Sequence, residues 1–192
     1  CLTFMGFLTR LDITVFSWFH SWAGIATFWD WAIIFHAIYL WYVMILAVAA
    51  LVIVPFAFPR LRRLAGRNQW LLVHAATAAI VSRYVITELI RFFYNRPRPF
   101  EVLPDVVQLV PHAGGGAFPS GHAALSFAVA AAVYFYYPKT SILFFLAAMS
   151  IGISRVAAGV HWPSDIVGGA IVGVATAWAM HCLFKSRLSS AQ

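Results

Sequence analysis

Two histidines and one aspartate have the types and spacing that acid–base and nucleophilic chemistry needs. His122 closes the run PSGH at the start of an apolar segment, and His161 precedes Asp165 by four residues. An imidazole can attack an electrophilic centre or protonate a leaving oxygen. A nearby carboxylate can fix the imidazole tautomer and raise its nucleophilicity. We therefore treat His161, His122 and Asp165 as candidate catalytic residues.

Three arginines and a helix start point to an anionic ligand. Arg91, Arg98 and Arg155 belong to the polar clusters around these histidines, and three guanidinium groups at one cavity need an anion to neutralise them. Guanidinium forks suit phosphate oxygens and keep their charge when partly desolvated. A helix that starts at Ser120 and Gly121 would offer free N–H groups to phosphate, and glycine would let it approach closely. These residue types predict phosphoryl-transfer chemistry.

Other polar residues near the clusters allow more than one interpretation. Arg96 could serve a second phosphate or anchor the chain at the membrane interface. Glu88, three residues before Arg91, is expected to pair with it, and Arg83 to face the bundle or a lipid headgroup. His112 lies in a glycine-rich loop that could form a lip over the site or be an ordinary loop. We expect no metal and no other cofactor, because cysteine is absent from the clusters and the arginines would repel a cation.

The elements that must position these residues are membrane helices. Of the 192 residues, 62% are hydrophobic and 10% charged, whereas a soluble domain carries roughly a quarter charged residues. Apolar runs close to the length of a spanning helix recur along the chain. They predict an all-α, polytopic transmembrane helix bundle that forms a single domain over residues 1–192. About five spans are expected, with six as an alternative, at residues 31–56, 69–90, 120–137, 141–160 and 165–184; Pro55 and Pro59 should help to end the first.

The N-terminal segment has a different pattern. Residues 7–22 place apolar side chains at helical spacing while Arg10 and Asp12 fall elsewhere, which is typical of an amphipathic helix at the membrane surface. The apolar positions are Leu8, Leu11, Val15, Phe19 and Trp22. A chain that starts at Cys1 fits a truncated sequence or a lipid-modified cysteine.

Loop charges predict the orientation of the bundle. Basic residues gather on one side of a five-span arrangement, and such loops face the cytoplasm; they are Arg60, Arg62, Arg63, Arg67, Lys139, Lys185 and Arg187. The opposite side carries residues 91–119 and carries or borders all six acidic residues. The candidate site is therefore expected on the extracytoplasmic face, and the net charge of +7 needs no nucleic-acid partner.

The polar clusters resemble the three motifs of the type 2 phosphatidic acid phosphatase and haloperoxidase superfamily. Its pattern is K-x6-R-P, then P-S-G-H, then S-R-x5-H-x3-D. Residues 91–99 match the first motif with Arg91 in place of the usual lysine, and residues 119–122 and 154–165 match the other two in full. The resemblance covers residues 91–165 and implies a membrane-bound helix bundle.

The resemblance also implies a role for each matching residue. His161 would be the nucleophile that forms a phosphohistidine, held by Asp165, and His122 would be the general acid for the leaving group. The remaining motif groups would hold the phosphoryl oxygens: Arg91, Arg98, Arg155, Ser120 and the Gly121 amide. The family's phosphatases need no metal.

The stretch RPRPFE…VPHAGGGAFPSGH further resembles the bacterial undecaprenyl-diphosphate phosphatases linked to bacitracin resistance. Those small enzymes recycle the cell-wall lipid carrier on the outer face of the plasma membrane, which implies the same substrate and a bacterial inner-membrane location here. Phosphatidylglycerophosphate, phosphatidic acid and lipid A phosphates remain alternatives, because the motifs recognise phosphate and not the tail. The expected partners are a polyprenyl or other lipid phosphate and membrane lipids, and the oligomeric state is open.

Three competing classes can be weighed against this interpretation. A transporter would place its charges near the bilayer midplane and in paired broken helices, whereas these charges gather at one face. A lipid phosphotransferase could pass the same phosphohistidine to an alcohol and stays open. Haloperoxidases share the motifs but are soluble, unlike this chain.

Overall fold

The computed structural model describes the backbone of residues 2–188 and the side chains of residues 9–185. Cys1 lies outside the described residues, as do the side chains of Leu8 and Arg187. Helices joined by loops make up this part of the chain. They are α1 (Leu2–His20), α2 (Thr27–Ala57), α3 (Pro59–Phe93), α4 (Pro99–Val102), α5 (Gly121–Tyr136), α6 (Pro138–Ala157) and α7 (Pro163–Leu188).

Four of these helices are long and apolar enough to cross a membrane, namely α2, α3, α6 and α7, and α5 is a shorter apolar helix. The predicted all-α, multi-pass bundle is thereby confirmed. Four helices start earlier than predicted: α2 at Thr27, α3 at Pro59, α6 at Pro138 and α7 at Pro163, and the difference is largest for α3. The extra length of α3 arises because Pro59–Leu64 forms a 3-10 segment that continues into the helix, where proline is tolerated in the first turn.

Pro55 lies inside α2 and does not end it, contrary to the prediction from sequence. A proline within a helix leaves the carbonyl four residues earlier without its usual partner, here that of Leu51. The buried Asn68 of α3 donates from Nδ2 to this carbonyl at 2.6 Å and accepts from Tyr137 Oη at 2.5 Å. Because the asparagine replaces the missing N–H donor, the helix continues to Ala57.

A π-helical segment in α3 changes which residues share a face. The segment Val81–Ile86 departs from α-helical hydrogen bonding, and a π turn takes in one residue more than an α turn. In a regular helix Arg83 and Arg91 would be roughly 80° apart around the axis, and the extra residue reduces this to roughly 20°. Both arginines can therefore bind Glu88 on the side of α3 that faces the candidate site.

Helix α5 is the buried centre of the bundle and makes its closest contact with α7. A Cβ at Gly173 would lie 2.3 Å from the Ala124 carbonyl oxygen, and one at Gly169 would lie 2.4 Å from that of Ser120. Small residues let helix backbones approach closely in membranes. The contact brings the first residues of the two helices together, where the Ser120 N–H donates to the Asp165 carbonyl at 2.9 Å.

Helix α1 rests on the end of the bundle with one face and leaves the opposite face uncovered. Leu11 and Val15 of the predicted apolar stripe are exposed, as on a helix at a membrane surface. Phe16 is 1% exposed and Asp12 is 8% exposed. The predicted amphipathic helix is present, and the face that carries Asp12 is turned towards the protein.

Candidate active site

His161 and Asp165 form a fully buried pair at the start of α7. His161 Nδ1 lies 3.3 Å from Asp165 Oδ2, and Arg98 Nη1 lies 3.2 Å from the other ring nitrogen, Nε2. A guanidinium group can only donate, so Nε2 must accept. The ring proton is therefore on Nδ1, which donates a hydrogen bond to Asp165 Oδ2. The pair therefore presents an Nε2 lone pair, which is the form that a nucleophilic imidazole requires.

Three donors hold Asp165 in this position. Its Oδ2 also accepts from the Trp162 N–H at 2.8 Å, and its Oδ1 accepts from Arg96 Nη1 at 2.8 Å. Its backbone carbonyl accepts from the Ser120 N–H. The carboxylate cannot rotate away from His161 without losing charge-assisted hydrogen bonds, which are the strong ones in proteins.

Arg98 is 1% exposed and is fixed by backbone carbonyls. Nε donates to Gly115 O at 3.1 Å, Nη2 to Gly116 O at 3.1 Å and Nη1 to Val160 O at 2.7 Å. These neutral acceptors orient the guanidinium without cancelling its charge. Arg98 therefore remains available to bind an anion beside the His161 ring.

Several donors around the imidazole have no partner in the protein. Among the side chains that the structure describes, Arg91 Nε, Arg155 Nε and Ser120 Oγ are buried without a hydrogen bond. Arg155, Arg98 and Arg91 all act electrostatically on His161, so their charges lie close together. A buried unsatisfied donor costs about 1–3 kcal/mol, and more when charged. The cluster is therefore suited to an anion that accepts from several donors at once.

The same positive charge shifts the ionisation of two groups at the ends of the spans. Burial, together with the charges of Arg155 and Arg98, holds the pKa of His161 well below its usual value of 6.5. Burial and the charge of Arg91 lower the pKa of Arg98 to about 10. At pH 7 a neutral imidazole thus lies beside charged arginines. In the described part of the chain, no three His, Cys, Asp or Glu side chains are grouped to hold a metal ion.

Gly121 brings Arg83 to the start of α5. A Cβ at Gly121 would lie 2.4 Å from Arg83 Nε, so glycine leaves the room that this side chain occupies. The sequence predicted that Gly121 would admit a phosphate, and the neighbour found there is Arg83. Glu88 binds Arg83 and lies 3.2 Å from Arg91 Nη1, while Arg91 Nη2 donates to Pro119 O at 2.9 Å. One carboxylate therefore holds two arginines at the site.

Arg96 is bound by two carboxylates and a hydroxyl. Nη1 lies 2.8 Å from Asp165 Oδ1 and 2.6 Å from Ser164 Oγ, and Nη2 lies 2.7 Å from Asp12 Oδ2. Two carboxylates already offset the charge of Arg96, whereas Arg98 is bound by neutral carbonyls. Neither of the roles considered from sequence for Arg96, a second phosphate ligand or an interfacial anchor, therefore fits. Its contacts instead hold the Asp165 carboxylate in place.

Two further histidines border His161. His122 lies in the first turn of α5, is half-buried, and interacts electrostatically with Arg155 and His161. The ring centroid of His112 lies 6.4 Å from that of His161. Its Nδ1–H donates to Ala113 O at 2.5 Å, which leaves Nε2 as the nitrogen without the proton. The loop that carries His112 therefore lies over the imidazole.

Sequence reasoning did not place Asp12, Ser164 and Arg83 in this site. Arg83 was recognisable as a charge within a span, but its position depends on the π-helical segment. Asp12 was recognisable as the acid of an amphipathic helix, but its partner Ser164 lies 152 positions further along the chain. No local pattern joins residues so far apart.

Comparison with known proteins identifies several relatives. The family model of the PAP2 superfamily matches residues 70–189. Bacitracin transport permease protein BcrC of Bacillus licheniformis is 32% identical over 111 residues, which is 58% of this chain and 54% of the relative. Undecaprenyl-diphosphatase BcrC of Bacillus subtilis is 34% identical over 94 residues, 49% and 48% of the two chains. A lipid A 1-phosphatase of Rhizobium etli is 37% identical over 62 residues, 32% and 27% of the two chains. The chain spans about half the length of the first two relatives.

Solved structures share the fold over most of the chain. The crystal structure of Aquifex aeolicus LpxE superposes with a TM-score of 0.68 and 26% identity, over 88% of this chain and 94% of that chain. That of the first transmembrane PAP2 type phosphatidylglycerolphosphate phosphatase from Bacillus subtilis superposes with a TM-score of 0.63 and 18% identity, over 93% and 87%. The helix bundle is therefore that of a transmembrane PAP2 protein.

His161 is expected to stay neutral well below pH 6.5, because burial and the neighbouring arginines oppose its protonation. The test is NMR of histidine-labelled protein in micelles, with the His161 resonances identified by their loss in His161→Asn. They should not titrate between pH 7.5 and about 5.5, whereas an appended histidine tag in the same sample should titrate near its ordinary value of about 6.5. A His161 midpoint near that of the tag would contradict the proposed electrostatics.

Proposed function

The chain belongs to the PAP2 superfamily, and from that membership we propose that it is a membrane lipid-phosphate phosphatase that hydrolyses undecaprenyl-diphosphate. One observation carries the proposal: Arg91 Nε, Arg155 Nε and Ser120 Oγ are buried and unpartnered near a histidine whose Nε2 must lack a proton. A phosphoryl group would accept from these donors while Nε2 approaches the phosphorus atom. Because these donors are buried, the attraction between each arginine and the phosphoryl oxygens would be stronger than in water.

In the first proposed step, His161 Nε2 attacks the terminal phosphorus of the lipid. The bond from that phosphorus to the bridging oxygen breaks, the electron pair leaves with the oxygen, and His122 protonates it. Asp165 accepts a hydrogen bond from Nδ1–H of His161. Its negative charge stabilises the positive ring that forms, as a carboxylate does for an imidazolium. Arg98 Nη1, which lies at Nε2 before the reaction, is placed to follow the phosphoryl oxygens.

In the second proposed step, water attacks the phosphorus of the phosphohistidine. The bond from phosphorus to His161 Nε2 breaks, its electron pair returns to the ring, and inorganic phosphate leaves. His122 has by then lost its proton to the lipid product, so it can act as the base that takes a proton from water. The positive charge that stabilises both transition states comes from Arg91, Arg98 and Arg155. No step requires a metal ion, since arginines supply the countercharge.

Two features favour a diphosphate over a monophosphate. The chain is similar to a protein named undecaprenyl-diphosphatase, from Bacillus subtilis. In addition, Arg83 supplies a fourth arginine at the start of α5, and its side chain is 25% exposed. We assign the second phosphate to Arg83 and not to Arg96, whose guanidinium is bound by Asp12 and Asp165.

The direct test of the proposed function is phosphate release by the purified protein, with a chelator present, from four lipid classes. These are undecaprenyl-diphosphate, phosphatidylglycerophosphate, phosphatidic acid and a lipid A phosphate. Undecaprenyl-diphosphate should give the highest kcat/KM, and His161→Ala should lower kcat by about 10⁴-fold or more, as loss of a nucleophile does.

His36→Ala is the matched control and should retain activity, because the hydrogen bond of His36 within the described residues is to Ala32 O of its own helix, α2. Undiminished release by His161→Ala would refute the mechanism. A clear preference for phosphatidylglycerophosphate would leave the phosphatase proposal standing and replace the substrate.

Arg83→Gln tests whether Arg83 binds the second phosphate of the diphosphate. Removal of a charge that contacts only the second phosphate should lower kcat/KM for undecaprenyl-diphosphate about tenfold more than for phosphatidic acid, a difference of about 1.4 kcal/mol. Arg63→Gln, at an exposed position in the basic segment at the other end of α3, is the control. Equal losses of kcat/KM on both substrates would show that Arg83 does not bind the second phosphate.

We further propose that the site faces the extracytoplasmic side of a bacterial inner membrane. The basic segment 60–67 and the candidate site lie at opposite ends of α3, and basic loops face the cytoplasm. In a variant with Cys1 and Cys182 replaced by serine, Ala113→Cys should react with an impermeant maleimide in intact cells. Arg62→Cys should react only after the cells are broken. The reverse pattern would overturn the orientation.

A further inference from the structure

The contacts of Arg96 lead from the candidate site to α1, outside the family-matched residues 70–189. Asp12 of α1 is 8% exposed and uses both carboxylate oxygens. Oδ2 accepts from Arg96 Nη2 at 2.7 Å and from Ser164 Oγ at 2.5 Å, and Oδ1 accepts from the Ser164 N–H at 2.9 Å. A buried carboxylate from a separate helix is thus bound to Arg96, which contacts Asp165, and to Ser164, which precedes it in the chain.

We propose that Asp12 is a positioning residue of this site: through Arg96 and Ser164 it holds Asp165 against the His161 ring. Its importance for catalysis rests on the proposed function, whereas its effect on the His161–Asp165 hydrogen bond does not. Helix α1 is then a part of the active site, although it carries no residue that touches the substrate.

The Arg96 guanidinium connects the position of Asp12 to the orientation of the Asp165 carboxylate. It is planar and rigid, so fixing Nη2 at Asp12 also fixes the direction in which Nη1 points at Asp165 Oδ1. With Oδ1 bound to Arg96, Oδ2 is left for His161 and for the Trp162 N–H.

Charge is shared along the same chain of contacts. Arg96 lies between two carboxylates, so Asp12 carries part of its positive charge. Without the Asp12 charge, Arg96 would act on Asp165 alone, making that carboxylate a weaker acceptor for the Nδ1–H. The His161 ring would then be less electron-rich at Nε2 and a poorer nucleophile.

The second link runs through the first turn of α7. The first N–H groups of a helix have no partner within the helix, and Asp12 satisfies that of Ser164 from outside. A carboxylate at a helix N-terminus is also favoured by the helix dipole. Asp12 therefore caps the helix whose first turn carries Asp165.

Other contacts of α1 fasten it to the same region. Phe16 packs on Trp162 with ring centroids 5.3 Å apart, and His20 Nδ1 donates to Ala157 O at 2.9 Å. The opposite face of α1 exposes Leu11, in keeping with a helix that rests on lipid. Helix α1 is thereby joined to Asp165, the carboxylate partner of His161, through the hydrogen bonds of Asp12 to Arg96 and Ser164.

Asp12→Asn tests the proposal, since it preserves shape and removes the charge. We expect kcat on undecaprenyl-diphosphate to fall about 10- to 100-fold, by analogy with the loss found when partners that orient metal-ligating histidines are removed. KM should stay within about threefold, because no substrate contact is lost. Asp12→Glu should restore part of the loss, and Asp105→Asn, the same charge change at an exposed position, should match the wild type.

An NMR readout separates positioning from activity. The low-field proton resonance of His161 Nδ1–H, recorded without substrate, should move upfield and exchange faster with water in Asp12→Asn. Arg96→Gln should have the same effect, and the double variant should be no worse than Arg96→Gln alone, because both changes break one chain of contacts.

The outcomes are distinct. An unchanged His161 resonance in Asp12→Asn, or a loss of activity that only follows the unfolded fraction in a thermal melt, would overturn the positioning role. If no lipid phosphate is hydrolysed and the resonance still shifts, the positioning role stands and the proposed function fails.

Discussion

Several buried and half-buried arginines at one end of an apolar helix bundle set the conditions for the rest of the structure. Taking an ion out of water costs several kcal/mol even in a real protein, and like charges at short range add to that cost. Three carboxylates offset part of the charge, namely Asp12, Glu88 and Asp165. Loop carbonyls accept hydrogen bonds from Arg98 and leave its charge in place: Gly115 O, Gly116 O and Val160 O. The donors of Arg91 and Arg155 that remain unpartnered are the reason to propose a phosphate ligand.

The helices that surround this charge each serve its placement. The glycine contact between α5 and α7 brings Ser120 to the Asp165 carbonyl, and the π-helical segment of α3 turns Arg83 and Arg91 to one side. Helix α1 adds Asp12 from a part of the chain that the family model does not cover. The two solved structures share the fold, and in this chain Asp12 connects α1 to the site.

Sequence patterns were sufficient wherever the signal is local. Apolar runs predicted the spans, the i, i+4 spacing predicted the His161–Asp165 pair, and i, i+3 spacing predicted the Glu88–Arg91 pair. They failed where a contact depends on a non-local partner. Pro55 did not end α2 because Asn68 satisfies the carbonyl it leaves free. The suggested role of Arg96 as a phosphate ligand was wrong because its guanidinium binds Asp12. No spacing rule connects these two residues.

The central claim is that His161 Nε2 is the atom that attacks phosphorus, and trapping the phosphorylated enzyme tests it most directly. Undecaprenyl-diphosphate labelled in its terminal phosphate would be mixed with excess enzyme, quenched in base within a single turnover, and the labelled residue and nitrogen identified by mass spectrometry and NMR. We predict phosphate on Nε2 of His161. Label on Nδ1 of His161 or on His122, or phosphate release with no labelled enzyme at any time, would contradict it.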